Sequence, residues 1–249
     1  MTNSFEKHGV THLSYSQASM FIADPARWLL SYVYKHREPS NAAMERGKAV
    51  ETGVEHWLKE EFATLDDAIF EAEKAFNKAT ALLCTNEERE KELKNIAGMT
   101  TEAIDALKGH GEPDTYQEKI EVFFDDIPVP VIGYIDWTFT GKIVDLKTTT
   151  RMPAAMSAAH RKQGALYRKA KGNYAVEFLY ATPKKSEIYT LENDEQDLKE
   201  LHRAFVCMGR LLGISNDREE IAALLCPNYD SFYWSNQQTR NKCREVFGV

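Results

Sequence analysis

The triplet Asp145-Leu146-Lys147 sets an acid and an amine two residues apart, and two other triplets, Glu92–Lys94 and Asp197–Lys199, share that spacing. Spacing alone therefore selects none of them. The latter two fall in charged, helix-like stretches, where a solvated ion pair is expected. Asp145 and Lys147 instead lie in IVDLKTTT, a β-prone run in which residues i and i+2 share one face. Two charges on one face of a central strand are costly unless they pair with each other or bind something. A plain Asp–Lys pair is one reading. The other begins from Asp136, set among apolar neighbours in VIGYIDWTF. A hairpin turning around Gly141 puts Asp136 near Leu146 across the ladder and diagonally near the charged pair. Two carboxylates and an ammonium at the ends of two strands suit Mg²⁺, which takes one or two carboxylates plus water and substrate phosphate. The main-chain carbonyl of Leu146 would add an oxygen. Lys147 would orient or acidify an attacking water and offset charge on a pentavalent phosphorane.

Further groups could join them. RGKAVE leads into a helix with Glu51 and Glu55 four residues apart on one face, where like charges repel unless a cation lies near. Two solvated surface acids are the alternative. Glu118, in YQEKIEVFF, is a weaker ligand candidate. His160, Gln163 and Tyr167 can line one face of a later helix. Arg161, Lys162, Arg168, Lys169 and Lys171 give that segment the densest positive charge in the chain. It is expected to present polar groups to the site and, through Arg161, Lys162, Arg168 and Lys169, positive charge to a phosphate backbone.

The elements that must hold these groups are legible in outline. Ser14 and Ser16 are candidate N-caps for a helix through Ile22, and Asp24-Pro25 reads as an N-cap with proline at N1. The second helix would carry Trp28, Leu29, Tyr32 and Val33 on one face. Helical patterns follow over 42–62, 66–83 and 87–108. Strands are expected over 116–124, 129–139 and 143–147, the last two joined by a turn at Thr140-Gly141-Lys142. A helix over 154–171 ends at Gly172-Asn173. A second strand pair, 174–182 and 187–191, precedes a mostly helical tail. The fold class is α/β, a central mixed sheet of about four or five strands flanked by helices with an N-terminal helical elaboration. A single domain is the expected organisation: a mainly helical part (1–112), the catalytic sheet and helix (113–191) and C-terminal helices (192–249).

The 249 residues suffice for a sizeable core, and 43% hydrophobic with 11% aromatic residues fits a globular protein. No apolar run approaches the roughly 18 residues a membrane span needs. The N-terminus lacks a secretory apolar core, so a cytoplasmic location is expected. Cys84, Cys207, Cys226 and Cys243 form no C-x-x-C and are expected to be buried free thiols. A net charge of −7 means that any nucleic-acid contact needs a local basic surface.

With these residues in place, the chain resembles the RecB-type branch of the PD-(D/E)XK nucleases, which includes the RecB nuclease domain, CRISPR-associated adaptation nucleases and lambda-type exonucleases. The resemblance rests on LSYSQASMFIADPARWLLSYV, RGKAVE, GYIDWTFTGKIVDLKTTT and QGALY, spanning residues 13 to 167. It implies a restriction-endonuclease-like core and Mg²⁺ (or Mn²⁺) held by Asp136 and Asp145, with Lys147 as the catalytic lysine. Gln163 and Tyr167 match the Q-x-x-x-Y motif and would contact the site or the DNA. Glu51 stands where RecB-like enzymes often have a histidine, as in lambda-exonuclease-like members, and is implied as the third metal ligand.

Ile135 replaces the proline that names the superfamily. Asp24 stands where iron–sulfur members carry a cysteine, and no three-cysteine cluster follows, so no iron–sulfur cluster is expected. The resemblance implies a divalent-metal-dependent exonuclease acting on duplex or single-stranded DNA ends, in phage or mobile-element recombination. A recombinase or single-strand annealing partner, or a homo-oligomer, would supply processivity in place of a helicase motor. A structure-specific endonuclease and a non-catalytic DNA-binding module are the alternatives. Trp137, Trp234 and Arg46 are further candidate DNA contacts.

Overall fold

The strands form a five-stranded mixed sheet in the order β1-β2-β3-β4-β5, and helices precede and follow them in the chain. The structure is a computed structural model that describes residues 3–60 and 63–248. Seven helices come first: α1 (Ser4–Lys7), α2 (Tyr15–Ala23), α3 (Pro25–Tyr32), α4 (Ala42–Lys59), α5 (Leu65–Thr80), α6 (Asn86–Leu93) and α7 (Ile96–Leu107). Strands β1 (Thr115–Phe124), β2 (Ile127–Phe139) and β3 (Lys142–Thr148) follow. Helix α8 (Ala158–Lys171) then leads to β4 (Ala175–Ala181) and β5 (Ser186–Thr190). Helices α9 (Glu195–Leu212), α10 (Arg218–Ala222) and α11 (Gln237–Phe247) come last, with a 3-10 turn at Phe232–Trp234.

The caps read from the sequence form as expected. Ser14 accepts from Gln17 N, and Asp24 accepts from Arg27 N with Pro25 opening α3. Several boundaries differ; α5 ends at Thr80 rather than at 83, and β2 begins at Ile127 rather than at 129. The 87–108 stretch is two helices, because Asn95 turns its side-chain amide back onto Lys91 O and competes with the helical ladder. Helix α8 begins at Ala158 rather than 154, where Ser157 caps His160 N. The hairpin turn is the two residues Thr140-Gly141, since Phe139 pairs with Lys142. Gly141 supplies a φ of 77°, which a residue with a Cβ adopts at a cost. Residues 61 and 62 of the expected 42–62 helix lie outside the described residues.

The chain forms two compact units. One holds residues 39–119 and 134–192. In it β2 and β3 are antiparallel, β3 and β4 parallel with α8 as the crossover, and β4 and β5 antiparallel. Its core packs Val50, Val54, Phe76, Met99, Trp137 and Leu179. Helices α4 and α5 touch through Gly53, where an added Cβ would lie 2.5 Å from Ala68 O and 2.8 Å from Ala72 Cβ. Buried Arg46 on α4 pairs with Glu92 of α6 and reaches Thr148 O at 3.4 Å.

The other unit holds residues 1–38, 120–133 and 193–249. Leu13 is bridged to Val131, donating to Pro130 O and accepting from Ile132 N. Helix α3 is buried on nearly all sides, Ala26 through Ser31, rather than on the single expected face. Its Arg27 is satisfied by Ser31 Oγ, Tyr233 O and Glu38. Asp24 caps α3 with one oxygen and accepts Trp234 Nε1–H at 2.5 Å with the other.

Several expectations fail on burial. Trp137 and Trp234 are fully buried and Arg46 is buried in its ion pair, so none of the three presents a surface for DNA. Glu92 and Asp197 are buried rather than solvated. Of the four free cysteines only Cys243 is buried; Cys226 is exposed.

Candidate active site

Asp145 is 1% exposed in the middle of β3. A buried carboxylate is tolerated only with donors around it, and the unit supplies three. Tyr167 Oη lies 2.8 Å and Gln163 Nε2 3.1 Å from its Oδ1. Lys147 Nζ, from the same strand face, forms an ion pair with Oδ2. No donor is aligned on Oδ2 itself, which is left as a buried oxygen without a hydrogen bond.

The turn sets the second acid. The recorded ladder ends at Trp137↔Val144, and one further step in that register would set Asp136 opposite Asp145, a residue away from the expected Leu146. The side chain still reaches Leu146: Asp136 Oδ2 accepts Leu146 N–H at 2.8 Å. In an extended strand the N–H and C=O of one residue point to the same side, so the Leu146 carbonyl faces the Asp136 edge, as a ligand oxygen would need to.

Helix α4 brings Glu51. Gln117 of β1 donates its side-chain amide to Glu51 Oε1 and, at 3.3 Å, to Asp136 Oδ1. Glu55 sits one turn on, tied to Lys59. The proximity of the acids shows in their protonation. Burial, then Asp145 and Glu55, push Glu51 up to about 7 against the pull of Lys147 and Lys48. Burial, then Asp145 and Glu51, raise Asp136 well above the usual carboxylate range. Burial alone would lower Lys147, but Asp145 and Asp136 outweigh it and hold the ammonium above its ordinary value.

Fully ionised, Glu51, Asp136 and Asp145 with one Lys147 ammonium carry two net negative charges, which a divalent cation would balance. Their oxygens are the hard donors such an ion takes, and the buried Asp145 Oδ2 has the Lys147 ammonium beside it but no aligned hydrogen bond. Among the described residues no three ligand side chains already surround a common point. The Gln117 amide and the Lys147 ammonium stand among the acids instead.

Helix α8 supplies the far wall. Gln163 Nε2 also donates to Tyr167 Oη at 2.6 Å, and that hydroxyl lies 2.7 Å from Tyr134 O. Burial first, then Asp145, push the Tyr167 hydroxyl well above its ordinary value, so it keeps its proton. His160 stacks on Phe178 and hydrogen-bonds Tyr180 Oη. Burial, then Lys147, lower it to about 4, so it is neutral at pH 7. Gly164 packs this helix on the sheet, where a Cβ would meet Phe178 and Leu191 at 2.9 and 3.0 Å.

Arg168 is spent on the carbonyls of Leu191 and Glu192, and Arg161 lies 3.4 Å from Met156 O. Arg161, Lys162 and Arg168 are half-buried; Lys169 is exposed. Glu118 is satisfied by Lys171, Thr115 and Thr138. Sequence reasoning missed Gln117, whose only signature is structural, a φ of 47° within a strand.

The model of the PD-(D/E)XK nuclease superfamily matches residues 12–228. A solved protein from Eubacterium rectale, provisionally described as an exonuclease, superposes with a TM-score of 0.53 at 14% identity, over 80% of this chain and 79% of its own. At that identity the likeness is one of fold. A second solved structure, SSO0001, aligns with a TM-score of 0.35 at 14% identity, over 65% of this chain and 84% of its own, and carries no argument. No curated protein matches the chain.

Proposed function

Given that the chain belongs to the PD-(D/E)XK nuclease superfamily, and is thereby a hydrolytic nuclease, we propose that it is a divalent-metal-dependent exonuclease of the RecB and lambda-exonuclease-like branch, cutting phosphodiester bonds at DNA ends. The observation that carries this reading is the gathering of Glu51, Asp136, Asp145 and Lys147 in one unit, backed by Gln163 and Tyr167.

Glu51, Asp136, Asp145 and the Leu146 carbonyl are the proposed ligands for Mg²⁺, with Mn²⁺ as a substitute. The bound ion would polarise the phosphoryl group and supply hydroxide at neutral pH. Asp145 is held still for this by Tyr167 and Gln163, which fix Oδ1 and leave Oδ2 facing the site. Asp145 and Asp136 hold the Lys147 ammonium above its ordinary value. It donates to the attacking water or a phosphoryl oxygen and offsets the charge that grows there. His160 is neutral at pH 7 and contributes no cation. DNA would be steered locally, since the net charge of −7 repels it. Among the α8 cations, Lys169 is the exposed one. We assign the activity to phage or mobile-element recombination, in the cytoplasm, beside a recombinase or annealing partner. A ring-like homo-oligomer would supply processivity.

The test uses linear and closed-circular duplexes, end-labelled on the linear form, with Mg²⁺, Mn²⁺ or EDTA, for wild type and Asp145→Ala. Metal-dependent loss of linear DNA alone, absent in the variant, is the expected result. Cutting of closed circles would identify an endonuclease instead. Tight DNA binding with no cleavage under any condition would overturn the enzymatic reading.

A further inference from the structure

Glu51 on α4 and Asp136 on β2 share one neutral partner, the side-chain amide of Gln117. Gln117 is exposed, so packing does not hold it there. Its backbone lies at φ 47° inside β1, a left-handed conformation that is costly for any residue with a Cβ and persists only where other contacts impose it. Two hydrogen bonds to the acids hold the side chain in place.

We propose that Gln117 is a positioning residue that keeps the cation's place in the ion-free protein: its amide spans Glu51 and Asp136 and leaves when a divalent ion binds. The inference rests on the metal-dependent reading above. An amide NH₂ offers two N–H groups of partial positive charge, enough to keep two acids from parting but far weaker than a dication. The oxygens it occupies are those the ion needs, so the two cannot be satisfied at once. Being exposed, the side chain can swing into solvent. Removing the amide therefore raises the free energy of the ion-free state and leaves the ion-bound state unchanged. Affinity for the ion should rise.

The experiment is titration calorimetry of the full chain with Mn²⁺, without DNA, paired with melting temperatures in EDTA and in saturating Mn²⁺. For Gln117→Ala the Mn²⁺ Kd should fall about tenfold, as expected for loss of hydrogen bonds to charged groups present only in the free state. Its melting temperature should drop in EDTA and match wild type in Mn²⁺. Gln117→Gly removes the backbone strain as well, so it should bind as tightly as the alanine variant and lose less stability in EDTA. A Kd unchanged or weakened in Gln117→Ala, or equal losses of melting temperature with and without Mn²⁺, overturns the inference and leaves the metal-dependent reading intact. The latter is supported separately if Asp145→Asn abolishes the wild-type binding heat. Wild-type protein that takes up no Mn²⁺ overturns both.

Discussion

Tyr167→Phe removes one oxygen atom from a place where three hydrogen-bonding groups converge. The hydroxyl accepts from Gln163 Nε2 at 2.6 Å and has two acceptors in reach, Asp145 Oδ1 at 2.8 Å and Tyr134 O at 2.7 Å. Phenylalanine fills the same volume, so no cavity is created beyond the oxygen. A hydrogen bond to a charged acceptor is worth about 1.5–3 kcal/mol, and an orphaned buried partner costs a similar amount. Gln163 still lies 3.1 Å from Oδ1 and keeps part of the compensation, so the net loss should be about 2 kcal/mol. For a chain of this size that corresponds to a fall of roughly 4–8 °C in melting temperature in EDTA. Loosening the support of a metal-binding carboxylate typically costs about 10–100-fold in metal affinity or activity, so cleavage should slow by that factor. Differential scanning calorimetry and a linear-duplex assay read the two effects. Because Tyr167 and Gln163 act on one oxygen, the double variant with Gln163→Ala should be non-additive by at least about 0.5 kcal/mol. Unchanged melting temperature and unchanged rate would refute the argument that this hydroxyl holds Asp145.

Lys147→Met should cut turnover by at least about 10²-fold while DNA binding, read by fluorescence anisotropy, persists; cleavage within threefold of wild type counts against its role. In EDTA, Glu51 should make stability depend on pH. Its folded pKa of about 7 lies above its ordinary 4.5, so its contribution is full below about 4.5 and is lost as pH rises through 7. At 1.36 kcal/mol per unit the ceiling is about 3 kcal/mol, and solvent access to Glu51 reduces this to about 2 kcal/mol. Urea unfolding at pH 5 and 8 measures it, and Glu51→Gln should flatten that difference; an identical slope in the variant would discard the assignment. Gly53→Ala forces α4 away from the Ala68 carbonyl and should destabilise by about 1–3 kcal/mol, seen as a lower urea midpoint.

Much of this protein is written locally. The Ser14 and Asp24 caps, the strands of the hairpin and the glycine of its turn follow from residue type and short-range spacing, and they appear where expected. The D-x-K triplet marked its own strand because β geometry puts residues i and i+2 on one face. Register was one step less certain: a two-residue turn moves Asp136 toward Asp145, and only the side chain restores its contact with Leu146. Helix boundaries at Asn95 and Ser157 shifted where a side chain competed with, or capped, the backbone.

Burial and partnership, by contrast, are sums over residues far apart in the chain. Nothing near Arg46 in sequence announces Glu92, and nothing near Trp234 announces Asp24, so these side chains read as candidate DNA contacts until packing buried them. The acids are the sharpest case. That Asp145 is a candidate for chemistry was legible from its strand. The raised protonation of Glu51 and Asp136, the orphaned Oδ2 of Asp145 and the Gln117 amide across the gap come from chain segments up to about a hundred residues apart, meeting in one low-dielectric place. Charge interactions depend on distance and burial rather than on order along the chain, and only the tertiary structure decides those.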